Sequence, residues 1–406
     1  MGIQGLIHFL HEASQCVRIS QFAGQTAAVD GFVWMHRSVL SCAREIALGL
    51  KTRSYITSFL KRVQQLIDAS IIPIIVFDGG DLPAKQPTNE KRRAARSIAL
   101  EKAKSYEQRG MTAEALEQFK LAVDITPDLL YPLFTVLRRR HIKFIVAPYE
   151  ADAQLSFLVQ NNIANFAITE DSDLLVYRCP QTLFKLTSNG DAELFTYDSL
   201  FKLPQLADFT PKMFTEACVL SGCDYLSSIH GMGIKTAFKK MSTYKSGISV
   251  LFELSSDPTL EIPPDYIELY PKVLSVFEEQ VVYDPKNKIT RGIFKNPETP
   301  LAGSLLASSV SIEIAEGHRN ARTLEPFPGD DYEEEDLTTS GRESPYFTPI
   351  SKSASQPFKP HFGNPMPPIK PRRIKLSQIP DRSPINSVSG RMSVPLFIPP
   401  SLRFPH

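Results

Sequence analysis

Residues 71–78 read IIPIIVFD, seven uncharged residues closed by an aspartate. A run this short and apolar suits a strand buried on both faces; a half-exposed strand would alternate apolar with polar. Three other runs share the form: 25–30 (QTAAVD), 143–147 (KFIVA) and 164–169 (ANFAIT). Amphipathic, helix-length segments lie at 32–48, 54–69, 88–109, 113–123, 128–140 and 151–160. The alternation predicts an α/β fold with a mostly parallel sheet covered by helices. Residues 184–186 and 193–197, around Ser188-Asn189-Gly190-Asp191, predict a β-hairpin. After about residue 205 the pattern is helical and no further strand is predicted.

The chain has 406 residues, which allows two or three domains. No stretch approaches 18 consecutive apolar residues, so a membrane span is not expected, and residues 1–15 lack the basic and small-residue marks of a secretory signal. The five cysteines are scattered without a C-x-x-C, which suits a reducing intracellular compartment. The net charge of +1 (45 Lys+Arg against 44 Asp+Glu) hides segregation. Residues 51–100 carry net +5, 151–200 net −5, 301–350 net −7 and 351–406 net +8. Eighteen of the 32 prolines lie from Pro297 onward. The folded part is therefore expected to end near residue 295, with 296–406 a disordered Pro/Ser-rich tail.

Acids fall where the strands end. Asp30 and Asp78 close two of them, Glu150 and Asp152 follow the third, Asp171 and Asp173 follow the fourth, and Asp224 lies in the helical region. The carboxyl ends of parallel strands form the ligand crevice of such folds. Residues two apart on a helix diverge by about 200°, so each close pair converges only at a strand–helix junction. Six or seven clustered carboxylates raise one another's pKa, and hard divalent cations with oxygen ligands relieve that. Two such ions about 3.5–4 Å apart are a common arrangement for phosphodiester hydrolysis.

The basic residues complement this edge. Lys85, Lys91, Arg92, Arg93, Arg96, Lys102 and Lys104 follow Asp78 closely, and Arg92 and Arg96 share a helix face. Gly231-Met232-Gly233, followed by Lys235, Lys239 and Lys240, has the form of a helix-hairpin-helix turn. Such a turn lets backbone approach phosphate at a helix N-terminus without reading sequence.

Six segments then match a known pattern in order: MGIQGL (1–6), AVDGFVW (28–34), VFDG (76–79), APYEADAQL (147–155), ITEDSDLL (168–175) and LSGCDYL (220–226). Over about residues 1–290 the chain resembles the structure-specific 5′ nucleases. MGIQGL, YEADAQL and SGCDYLSSIHGMG are most similar to the exonuclease 1 branch. The resemblance implies a PIN-like core at 1–205 with a helical arch at about 80–130, and a helix-hairpin-helix region at 206–295. It implies that Asp30, Asp78, Glu150, Asp152, Asp171, Asp173 and Asp224 hold two Mg²⁺ ions, which Mn²⁺ can replace. Lys85 and Arg92 would contact the scissile phosphate, with Arg96 in support. Phe32 and His36 would lie near the cleaved strand's 5′ end, and Gly2 would pack against the site. Phe32 stands where the family often has Tyr, which keeps stacking and loses a hydroxyl. Ser221 and Ser228, with backbone from Gly231 and Gly233, would hold a K⁺ that bridges to duplex phosphate, with Lys235 beside it.

The implied activity is 5′→3′ exonucleolysis of double-stranded DNA with 5′ flap cutting, in mismatch repair, end resection and recombination. A flap endonuclease-type enzyme, a catalytically weak repair scaffold and an exoribonuclease of related architecture are the competing readings. Expected partners are duplexes with 5′ ends, nicks or flaps, and mismatch-repair or other repair proteins through the tail; a monomer without membrane contact is expected. Lys370–Lys375 (KPRRIK) resembles a nuclear import signal, Ser344-Pro345, Thr348-Pro349 and Ser383-Pro384 could take phosphate, and 392–406 could be a docking peptide.

Overall fold

The computed structural model describes residues 2–256 and 260–328. Seven strands form one sheet: β1 (Gln15–Arg18), β2 (Thr26–Asp30), β3 (Ile72–Phe77), β4 (Lys143–Val146), β5 (Phe166–Thr169), β6 (Gln181–Phe184) and β7 (Asp191–Thr196). Their spatial order is β1-β7-β6-β5-β2-β3-β4. The five strands from β6 to β4 run parallel, and β7 and β1 add an antiparallel edge. The expected hairpin forms from β6 and β7, with its first strand some residues earlier than predicted.

Both faces of the central strands are apolar. Val29, Ile75, Phe77, Phe166 and Ile168 pack into one cluster with the helices Gly31–Val39, Ser54–Asp68 and Pro127–Arg139. Ala28, Ile74, Val76 and Ala167 pack on the opposite face against the helix Ala151–Gln160. Period-two alternation between two buried faces is why these strands read as unbroken apolar runs. Residues 32–48 do not make one helix. A 3-10 turn at Leu40–Cys42 separates Gly31–Val39 from Ala43–Ala47. There the Ser38 hydroxyl donates to the Trp34 carbonyl and that of Ser41 to the Ser38 carbonyl, offering the backbone local alternatives.

Three expectations about the second half need correction. Strands do occur after residue 205: β8 (Val281–Asp284) and β9 (Ile289–Gly292) pair antiparallel. They escape sequence reading because VVY follows the helix Tyr266–Glu279 after one residue and merges with its apolar run. The Gln154 side chain pins β8, accepting from Tyr283 N at 2.7 Å and donating to Tyr283 O at 2.8 Å. Folded chain also continues past residue 295, through the helix Ser308–Ala315 to residue 328. Ile314 and Ala315 are buried there, and Tyr131 stacks on Phe327 at 4.5 Å. The proline signal misplaces this end because fourteen of the eighteen late prolines lie from Pro345 onward. Finally, no break in packing falls at residue 205 among the described residues, because one core spans both sides of it. Phe157, Leu175, Phe184 and Phe195 of the sheet side share a core with Phe214, Phe238, Tyr270 and Phe277. The tail features at 344–349, 370–384 and 392–406 lie outside the described residues.

Candidate active site

Strand order brings the acids together. β5, β2, β3 and β4 are neighbours, so all four acid-bearing ends open on one stretch of the sheet's carboxyl edge. Asp30 closes β2 and caps the helix that follows, its Oδ1 accepting from Phe32 N and Val33 N, both at 3.0 Å. Its Oδ2 accepts from Thr169 Oγ1 at 2.7 Å, which ties β2 to β5. Asp78 follows β3, and its Oδ1 accepts from Ala151 N at 2.7 Å. The loop after β3 is laced to the loop after β4, with Gly79 N donating to Tyr149 O at 2.6 Å and Gly80 N to Pro148 O at 3.0 Å. Asp78 is thereby held beside Glu150. Glu150 is the N-cap of the helix Ala151–Gln160 and Asp152 lies in its first turn. Asp171 follows β5, and Asp173 begins the short helix Asp173–Val176. Both close pairs therefore sit at strand–helix junctions, the geometry their spacing requires.

Gly2 lies against this cluster with φ +72. A Cβ there would collide with Asp171 Oδ1, reach Asp173 Oδ1 at 2.5 Å and Ser172 Oγ at 2.7 Å. The adjacent Ile3 N donates to Asp173 Oδ1 at 3.1 Å, so the N-terminal residues form one wall of the site.

Burial and crowding dominate the electrostatics. Asp30, Glu150, Asp171 and Asp173 are all buried. Burial, with Asp78 adding repulsion, raises Asp30 to about 7. Burial raises Asp78 to about 6 although Lys85 opposes it. Asp152 and Asp173 are pushed well above the ordinary range by burial and by the Asp171 charge, and burial also raises Asp171. Asp224 goes the other way: burial acts upward on it, but Lys85 and Arg92 together hold it below the ordinary range.

Lys85 and Arg92 bridge the basic arch to the acids. The ammonium of Lys85 pairs with Glu150 Oε1 and, at 3.1 Å, with Asp224 Oδ2. Arg92 reaches the two oxygens of Asp224 at 2.9 and 3.1 Å. Thr88 Oγ1 donates to Asp224 O at 2.6 Å, so the start of the long helix Gln86–Gln108 is fastened to the Asp224 loop. Arg96 pairs instead with Asp124 at 3.2 Å, just after the partner arch helix Thr112–Ala122. Phe32 and His36 pack edge to face at 5.0 Å. Desolvation, with the Arg96 and Arg92 charges adding to it, lowers the His36 pKa.

The donor set fits divalent metal. The crowded oxygens are incompletely neutralised, and Asp152 Oδ1 is buried with no hydrogen-bond partner. Hard cations suit such a set. Among the described residues no three His, Cys, Asp or Glu side chains are gathered closely enough to hold a metal ion as they stand; Glu150 and Asp224 are held by cations of the chain instead.

The glycine turn lies elsewhere. It joins the helices Pro211–Leu220 and Ile234–Tyr244, with Gly231 at φ +77 and Gly233 as the extended N-cap of the second. Lys235 is exposed in that helix's first turn. Ser221 is buried, its hydroxyl donating to Cys218 O at 2.7 Å, whereas Ser228 is exposed beside Gly222.

Sequence reading missed Thr169, which holds Asp30, and Tyr225, whose hydroxyl donates to Glu150 Oε2. Tyr225 adjoins Asp224 in LSGCDYL, but nothing local shows that its side chain reaches a residue 75 positions away. Burial raises the Tyr225 and Tyr177 phenols well above their ordinary range, which keeps them protonated as donors.

A parallel sheet with carboxylates gathered at one edge beneath a basic helical arch defines a PIN-like fold. Two family models match, the XPG N-terminal domain at residues 1–99 and the XPG I-region at residues 141–224. Exonuclease 1 of Oryza sativa subsp. japonica is 38% identical over 338 residues, covering 81% of this chain and 40% of that protein. DNA damage-inducible protein DIN7 of Saccharomyces cerevisiae is 33% identical over 294 residues, covering 71% of this chain and 68% of that protein. The solved catalytic core of Rad2 in complex with DNA substrate shares the fold at TM-score 0.51 and 20% identity, covering 68% of this chain and 85% of that one. The chain belongs to the XPG family. It spans under half the length of the exonuclease 1 relatives from Oryza sativa, Danio rerio and Xenopus laevis.

Proposed function

We propose that the chain is a Mg²⁺-dependent 5′→3′ double-strand DNA exonuclease that also cuts 5′ flaps, acting in DNA repair in the nucleus. The observation that carries this reading is the meeting of four acid-bearing strand ends on one sheet edge, with Asp224 joined to them through Lys85 and held by Arg92. The names of the exonuclease 1 and DIN7 relatives support it.

Asp30, Asp78, Glu150, Asp152, Asp171, Asp173 and Asp224 would hold the metal. Two bound divalent ions would supply a lowered water pKa and charge stabilisation at the leaving oxygen. Lys85 and Arg92 would exchange the carboxylates they hold for a scissile phosphate, Arg through paired donors and Lys as a point charge. Phe32 and His36 offer rings to an unpaired end nucleotide. The glycine turn and Lys235 would grip duplex phosphate without reading sequence, with K⁺ at Ser221 and Ser228. Mismatch repair, end resection and recombination are the pathways this activity suits.

Purified protein with Mg²⁺ is assayed on 5′-labelled recessed, blunt, nicked and flapped DNA, with matched RNA. Mononucleotide release from 5′ DNA ends and cutting at flaps are expected. Equal cleavage of RNA, or normal cleavage in Asp171→Ala and Asp173→Ala, overturns the reading.

A further inference from the structure

The two oxygens of Glu150 keep different company. Oε1 faces Lys85 in the site, whereas Oε2 is turned toward the hydroxyl of Tyr225. Behind Tyr225 the Tyr177 hydroxyl lies 3.0 Å from the Tyr225 hydroxyl and also touches the Gln280 side-chain amide. Tyr177 and Gln280 have no solvent exposure. Gln280 caps the C-terminus of the helix Tyr266–Glu279, just before β8, so the row starts in the C-terminal half of the fold and ends at the sheet edge.

Counting protons sets the direction of this row. Each phenol has one proton to give. A carboxylate only accepts, so the Tyr225 proton goes to Glu150. The contact between the phenols is then a hydrogen bond only if Tyr177 donates to Tyr225. The Tyr177 oxygen must in turn accept, and the Gln280 NH₂ is the donor at hand. Gln280 Nε2 is buried with no partner while its carbonyl faces Tyr177. Turning the amide by half a revolution, an assignment set by the network, brings the NH₂ onto Tyr177. The carbonyl left over costs less unpaired than an N–H does.

We propose that Gln280, Tyr177 and Tyr225 form a one-way hydrogen-bond relay that positions Glu150, committing Oε2 to protein and presenting only Oε1 to the site. The three are positioning residues that act through Glu150. Directional chains polarise successive donors, and outer partners of this kind fix the orientation of a metal-binding side chain. The relay rests on the reading that Glu150 holds divalent metal.

Mg²⁺ is titrated calorimetrically into DNA-free wild type, Tyr225→Phe, Gln280→Met and the double variant, with thermal melts to confirm folding. Tyr225→Phe is expected to weaken Mg²⁺ binding about tenfold, and Gln280→Met to weaken it in the same direction by less. The double variant should match Tyr225→Phe, because Gln280 acts only through Tyr225. Cleavage by Tyr225→Phe should be restored by raised Mg²⁺, which a general loss of packing would not allow. Tyr177→Phe, which keeps the ring, replaces Gln280→Met if the latter does not fold. Wild-type affinity in Tyr225→Phe, or losses that multiply in the double variant, overturn the relay. A wild type that binds no Mg²⁺ overturns the nuclease reading and the relay with it.

Discussion

The acid edge of the sheet and the glycine turn both handle phosphate under the proposed function, yet they are built on opposite terms. At the edge, charges are buried, crowded and held one by one, as Asp30 is by Thr169 and Asp173 by Ile3 N. At the turn, Ser221 is buried but Ser228, Gly231, Gly233 and Lys235 are exposed, and Gly231 has nothing within 4 Å of where a Cβ would stand. Buried charge is costly to leave uncompensated, whereas exposed charge is screened and replaceable. The edge should therefore fail at single atoms and the turn should fade by degrees.

Asp171→Ala or Asp173→Ala gives the largest expected effect. Cleavage should fall about a thousandfold or more, since several kcal/mol of charge stabilisation is lost, while gel-shift affinity for a flapped duplex in Ca²⁺ holds. If both change together, the two regions are not separate. Gly2→Ala comes next. Its Cβ would displace Asp171 and Asp173, and a shift of about 1 Å can cost about a hundredfold in rate, read as kcat at saturating DNA. An unchanged kcat would show that the N-terminal wall is dispensable.

The third prediction concerns pH. A carboxyl whose native pKa is raised holds its proton more tightly when folded. Its contribution to stability is full below the unfolded value and is lost as pH rises through the native one. With Asp30 near 7 and Asp78 near 6, the metal-free protein should lose thermal stability as pH rises from the ordinary carboxylate range through about 7. Mg²⁺ should raise Tm more at pH 8 than at pH 5, because metal competes with protons for the same oxygens. Asp30→Asn should flatten that slope. A Tm profile of metal-free protein that rises over this interval would contradict the crowding.

The smallest effects belong to the turn. Lys235→Ala should weaken duplex binding a few-fold for any sequence and lower the salt slope by about one. Gly231→Ala should cost a similar few-fold, because φ +77 strains a side chain there by about 1–2 kcal/mol without any collision. Binding titrations over a range of KCl measure both. A loss as large as that of the aspartates would make the turn part of the site.

The four central strands, the arch basics and the acids at the strand ends were legible because their signals are local, whereas the edge strand β1 went unpredicted. IIPIIVFD shows its double burial in its own composition, and the two-residue spacing of Glu150/Asp152 already demands a helix start. Less local features misled. The run before β8 merged with a helix, and the helix Ser308–Ala315 was assigned to a proline-rich tail whose bias begins later. Phosphate contact by Lys85 and Arg92 followed from resemblance, and in this structure the two side chains rest on Glu150 and Asp224.

By itself the sequence determined that buried strands end in acids and that a basic helix follows one of them, since periodicity and composition act between near neighbours. Only the tertiary structure decided that β5 inserts beside β2, so that Asp171 and Asp173 meet Asp30 as well as Glu150's side of the edge. It also decided which atom each carboxylate oxygen faces. Several of those partners lie 65 to 170 residues apart, as Lys85 does from Glu150 and Ile3 from Asp173, although Asp30 Oδ1 is held by its own helix start. Contacts at that range are set by how the sheet packs as a whole, and no window of sequence holds both ends of them.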